Sequence, residues 1–115
     1  MAADAREVAE SYFAALARRD LDAAAACWAP DGVDNLVGQA VAEGPTGVRA
    51  FFAELFAAIP DFAMEVETIV AEGDRAAVRW HATGTFAGES AFQGIAPTGA
   101  RVTLTGFDLL EVRDG

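Results

Sequence analysis

The hydrophobic period of this chain changes at Pro60, and that change restricts the possible folds more than any other feature. Before it, Val48, Phe51, Phe52, Leu55, Phe56 and Ile59 sit at i, i+3, i+4, i+7, i+8 and i+11, one broad apolar stripe. The stripe predicts a helix that Pro45-Thr46 opens and Pro60 ends. Its Phe side chains read first as core, and they can also line a cavity. After Pro60 the period is two. Phe62, Met64, Val66, Thr68 and Val70 alternate with Ala63, Glu65, Glu67 and Ile69, which predicts a strand. Glu72-Gly73-Asp74 is a turn. Arg75 to about Phe86 is a second strand, with Val78, Trp80 and Ala82 opposite Arg79, His81 and Thr83. A short strand is expected near Ala91–Gln93, a loop at 96–99, and a long final strand over Arg101–Val112.

Upstream, residues 4–18 read as a helix with Val8, Tyr12, Ala15 and Leu16 on one face. Arg18 and Arg19 are expected in its last turn, where cations suit the helix dipole. Asp20 is a good N-cap for a short helix from Leu21 to about Trp28. Pro30-Asp31-Gly32 is turn chemistry, residues 33–38 could form a short strand, and 39–45 look like loop. The order of helix, helix, strand and helix, then a run of strands, indicates α+β, with helices on one face of an antiparallel-rich sheet. At 115 residues and 53% apolar, the chain is expected to be one domain, 1–115, with a core of its own. Arg113-Asp114-Gly115 carries a hairpin signal with no second strand behind it, so truncation at the C-terminus is expected.

Eight Lys and Arg stand against 18 Asp and Glu, a net charge of −10. Nucleic acids and anionic membrane surfaces are therefore not expected as partners, since phosphate binding needs a basic face. Cys27 is the lone cysteine, which excludes an intrachain disulfide and a Cys-based zinc site. With one His as well, no metal site is expected. The start, MAADAREVAE, lacks the charged and apolar regions of a secretory signal, and no apolar run approaches the ~18 residues of a membrane span. The expectation is a soluble cytoplasmic domain. No phosphate loop, nucleophile elbow or dinucleotide fingerprint is present, and no cofactor is expected.

Several segments, in order, resemble the SnoaL-like polyketide cyclases of the NTF2-like, ketosteroid-isomerase-like superfamily. They are Tyr12-Phe13-Ala14-Ala15-Leu16 with Asp20-Leu21-Asp22; Glu43-Gly44-Pro45 through Gly47-Val48-Arg49 to Phe51-Phe52; Ile59-Pro60-Asp61-Phe62; and Ala71-Glu72-Gly73-Asp74-Arg75 to Arg79. Gly94-Ile95-Ala96-Pro97-Thr98-Gly99 and Val102 continue the pattern. The resemblance implies a cone: about three N-terminal helices packed in a strongly bent sheet around an apolar pocket. Two departures stand out. Gly84-Thr85-Phe86 replaces the family's frequent Gly-Thr-His, and the strand that carries the cyclases' acid/base Asp is missing here.

Asp108 shares its strand parity with Val102, Leu104, Gly106, Leu110 and Val112. An Asp on an apolar face should have a raised pKa, and a neutral acid there can donate to a developing enolate oxygen. The alternative is an Asp that satisfies loop amides or a buried Arg. The resemblance likens Phe107-Asp108-Leu109 and Tyr12 to the oxyanion-binding Asp and Tyr of ketosteroid isomerase. Otherwise Tyr12 is a core phenol. Asp34 and Asn35 fall where the superfamily places a base or a water-holding Asn, and the choice between them is open. Arg79 and His81 share one strand face, matching the Arg and replacing the Asp of the epoxide hydrolases; they face either the pocket or solvent and a dimer partner. Trp28, Phe52 and Phe56 are expected to contact the ligand.

The resemblance thus implies binding of a small apolar carbonyl compound, polyketide-like or steroid-like, with cofactor-free acid–base chemistry. Tyr12 and Asp108 would hold the enolate oxygen, and Asp34 or His81 would be the base. A noncatalytic binding or dimerisation module is the alternative. Epoxide hydrolysis through Asn35 and Arg79 is the third reading. A homodimer is expected, because Thr103, Thr105, Phe107 and Leu109 form an uncovered face opposite Asp108.

Overall fold

A capping box starts the first helix. In this computed structural model, which describes residues 4–36, 40–88, 91–92 and 94–113, the Asp4 carboxylate accepts from the Glu7 N–H at 2.8 Å, and Glu7 accepts from the Asp4 N–H at 3.4 Å. Helix α1 (Ala5–Ala17) buries Ala9, Tyr12, Phe13, Ala15 and Leu16. It stops one residue short of the expected end. Arg18 is its C-cap, and Arg19 adopts a left-handed conformation with φ 61°. Neither lies in the last turn, contrary to expectation, because the chain reverses there. Arg19 instead donates to the Phe62 carbonyl at 2.8 Å, with its guanidinium 5.0 Å from the centre of the Phe56 ring. Asp20 caps α2 (Leu21–Ala26) as expected, accepting from the Ala23 N–H at 3.0 Å.

Next come β1 (Val33–Leu36) and β2 (Ala40–Glu43), an antiparallel pair. Residues 40–43 were expected in a loop. Four residues are too few for an alternation to show, and it is pairing with β1 that makes this segment a strand. Residues 37 and 38, the end of the expected first strand, lie outside the described residues. Helix α3 (Gly44–Ala58) has Pro45 in its first turn, and Ile59 caps it before Pro60.

The remaining strands, β3 (Ala63–Glu72), β4 (Arg75–Thr85) and β5 (Arg101–Glu111), form an antiparallel sheet in that order. A bulge at Glu67 changes the phase of β3, since Val66 pairs with Trp80 while Thr68 pairs with Arg79. Ile69 and Ala71 therefore turn inward, where simple alternation placed Thr68 and Val70. Between β4 and β5 the expected strand near Ala91–Gln93 reduces to a bridge between Phe92 and Ile95. Gln93, Asp114 and Gly115 lie outside the described residues, and with them the expected hairpin signal.

Helix α1 packs across one face of the three-stranded sheet, and α3 packs on α2 and the β1–β2 pair. The fold is α+β, with helices against a curved antiparallel sheet. Its core includes Phe13, Leu16, Val48, Phe52, Leu55 and Val78. Gly84 lets β4 meet the end of α3 directly: a Cβ there would lie 2.3 Å from Ile59 Cγ2. Asp61 secures the same junction, accepting from the Thr85 N–H at 2.6 Å and its hydroxyl at 3.0 Å. No described helix is long and apolar enough to cross a membrane.

Candidate active site

Strand parity decides which polar groups meet beneath α1. On β4 the inward face holds Ala76, Val78, Trp80 and Ala82, and on β5 it holds Gly106, Asp108 and Leu110. Asp108 lies opposite Val78, which is fully buried. Tyr12, 3% exposed, comes from α1. The Trp28 indole, just past α2, packs edge-on to Tyr12 with ring centroids 5.8 Å apart. In β1, Asp34 and Leu36 are half-buried, while Val33 and Asn35 are exposed. The structure thus places Asp34 inside and Asn35 outside. Asp34 pairs with Ala42, a small apolar neighbour.

Three acids share this setting: the charges of Asp34 and Asp108 reach Tyr12, and that of Asp108 reaches Asp34. Burial pushes the Tyr12 phenol well above its ordinary range, and the charge of Asp34 adds to the rise. The Trp28 indole N–H opposes part of it, and Asp108 and Cys27 add smaller contributions. Asp34 is pushed up to about 6, first by burial and then by the charge of Asp108. Asp108 is also raised by burial, but a hydrogen bond opposes the rise: Trp80 Nε1 donates to its Oδ1 at 3.1 Å. The cluster is therefore a phenol that stays neutral beside two carboxyls that resist being ionised together.

Other candidates lie elsewhere. Arg79 and His81 are on the opposite face of β4, beside Phe107 and Thr105. Arg79 pairs with the bulge residue Glu67, Nε to Oε2 at 2.9 Å. The structure does not bring either to Tyr12. Phe52 is buried in the core, and Phe56 sits at its rim between Phe52 and Phe62, under Arg19. An open groove of about 540 Å³ between β2 and α3, lined by Val41, Glu43, Thr46 and Phe51 among others, is also separate from the cluster. Among the described residues no group of three or more His, Cys, Asp or Glu is placed to hold a metal ion. The alternation along β4 sets Trp80 on the face with Val78 and Ala82 but gives no sign of its hydrogen bond to Asp108. Only the strand register could reveal it.

The fold recurs among solved proteins. AclR of Streptomyces galilaeus, assigned as a hydroxylase, is 29% identical with TM-score 0.75, and the match covers 96% of this chain and 80% of AclR. IdmH of Streptomyces antibioticus, assigned as a polyketide cyclase, is 27% identical with TM-score 0.75, covering 98% of this chain and 86% of IdmH. An LEH-like epoxide hydrolase of M. tuberculosis shares the fold at 18% identity and TM-score 0.71, covering 94% and 72% of the two chains. No curated protein matches. The family model for SnoaL-like polyketide cyclase matches residues 6–115, a span that includes every helix, strand and acid of the cluster from Tyr12 onward. On that match, the chain belongs to the SnoaL-like polyketide cyclase family.

Proposed function

We propose that the chain binds a small apolar carbonyl compound, polyketide-like or steroid-like, and moves a proton beside its carbonyl without a cofactor. The observation that carries this reading is the convergence of Tyr12, Asp34 and Asp108 in poorly solvated surroundings beside Trp28, Trp80 and Val78. A phenol this reluctant to ionise stays neutral and donates to the carbonyl oxygen as charge grows on it. One carboxylate takes the proton from the α carbon. The other carboxyl, still protonated, gives the oxygen a second hydrogen bond. The proton then returns to the same carbon, which exchanges it with solvent, or to another carbon, which leaves an isomer. Where the substrate holds a second carbonyl within reach, the enolate carbon attacks it instead, closing a ring, and the proton goes to the oxygen of that carbonyl. The name of the family and the assignment of IdmH favour a polyketide-like ligand.

The assay is solvent deuterium uptake into cyclic ketones such as 2-tetralone. The wild type should catalyse uptake. Asp34→Asn and Asp108→Asn should each slow it at least about 100-fold, the usual worth of a positioned acid or base. Tyr12→Phe should slow it about 10- to 100-fold. No uptake into ketones that demonstrably bind would overturn the catalytic reading in favour of a binding module. Uptake that disappears with His81→Ala would move the base to the other face of β4. Epoxide hydrolysis has less support, because Asn35 and Arg79 both lie outside the cluster.

The outer sheet face supports a homodimer. Val70, Phe107 and Leu109 are 61%, 70% and 65% exposed. They lie on that face with Arg79 and His81. Apolar side chains grouped in this way favour burial against a second copy.

A further inference from the structure

The two carboxyls of the cluster differ in one respect: a donor reaches Asp108 and none of the described residues donates to Asp34. The donor's position follows from the strand register. Trp80 pairs with Gly106, and Asp108 is the next inward residue along β5, diagonal to Trp80. The indole occupies the space that a side chain at 106 would fill. A Cβ there would lie 2.0 Å from Trp80 Cζ2 and 2.2 Å from Cε2. Only bare backbone lets the ring lie across β5 and bring Nε1 within 3.1 Å of Asp108 Oδ1. Val78, directly opposite Asp108, offers no hydrogen bond.

We propose that Trp80 is a positioning residue that sets the division of labour in the pair: lying over Gly106, its N–H holds Asp108 as the proton-accepting carboxylate and leaves the proton on Asp34. This rests on the acid–base reading above and reverses the roles that the family resemblance implies. A hydrogen bond to a carboxylate stabilises its charge, so the carboxyl without a donor ionises last. The other groups around the pair do not counter this. Tyr12 from α1 stays neutral, and Cys27 acts on Tyr12. Glu65, Glu67, Arg79 and His81 lie on the far face of the sheet, and Arg75 pairs with Glu111 at the exposed strand ends. The rise of Asp34, driven in part by the charge of Asp108, agrees with this order of ionisation.

The experiment is an NMR titration of the Asp carboxyl carbons in the whole chain, without ligand. Asp108 should ionise first and Asp34 last, near pH 6. The Trp80 indole proton, assigned by its persistence in Trp28→Phe, should move with the Asp108 step. Trp80→Phe keeps a ring over Gly106 and removes the donor. It should raise the Asp108 midpoint by about one to two pH units, the worth of one charge-assisted hydrogen bond, and lower that of Asp34. Gly106→Ala should do the same by displacing the ring. Asp34 ionising first, or an indole proton that ignores the Asp108 step, overturns the proposal, and the indole measurement needs no variant of Trp80. In the 2-tetralone assay the wild-type rate should fall as pH rises through about 6. A rate that climbs there restores the opposite roles. Absence of any uptake counts against the catalytic reading alone, since the titration decides the order of ionisation by itself.

Discussion

Asp34 should lower the stability of the protein at neutral pH, and the sign follows from its shifted ionisation. Its carboxyl is pushed from 3.8 up to about 6 in the fold, so the native state holds a proton that the unfolded chain releases. Stability from this group is full below about pH 4, declines as pH rises towards 6, and stays low above it. Asp34→Asn removes the loss. The variant should match the wild type in urea unfolding at pH 3.5 and exceed it at pH 7, with the gap opening between 4 and 6. An equal gap at both pH values would mean that packing, not ionisation, sets the effect. A group that lowers stability where it sits is common at functional sites, where it persists because activity needs it.

At the scale of elements, the helix that Pro60 ends is held chiefly by its apolar stripe. Phe52 is 7% exposed and packs against Phe51 and Phe56. Phe52→Ala should cost about 3–5 kcal/mol in chemical denaturation. A loss below about 1 kcal/mol would mean that Phe52 walls an open cavity. Phe56→Ala should cost less, because Phe56 is only half-buried and part of its contact is the Arg19 guanidinium. The bulge in β3 works at this scale too. By adding Glu67 it turns Ile69 and Ala71 towards α1 and gives Arg79 an acidic partner on the outer face. That ion pair is exposed and contributes little stability, but it occupies the Arg that an outer-face reaction would need.

For the whole molecule, the two faces of the three-stranded sheet differ in what they carry. The inner face carries Asp108 and Trp80, and the outer face carries exposed Phe107, Leu109 and Val70. Light scattering at micromolar concentration should give about twice the 12.0 kDa of one chain. Phe107→Ser with Leu109→Ser should return it to one chain's mass and leave the Asp34 and Asp108 titrations in place. A wild-type mass near 12.0 kDa would rule out a dimer of useful affinity.

Much of this was legible in the sequence because local periodicity is a local property. The stripe from Val48 to Ile59, the cap at Asp20 and the parity of Asp108 all follow from spacing along the chain, and the structure agrees with each. Other features depend on which residues lie across a strand. Whether β2 is a strand, where β3 slips, and whether Asp34 or Asn35 faces inward are matters of register, which pairing sets and spacing alone does not. The same holds for Trp80. Its indole reaches Asp108 because a glycine lies opposite, and residues 80 and 106 become neighbours only when β4 and β5 pair. The sequence by itself determined the helices, the three long strands and the inward-facing acid on β5. Tertiary structure alone decided which acids meet and which of them a donor reaches, because desolvation and hydrogen bonding depend on neighbours brought from distant parts of the chain.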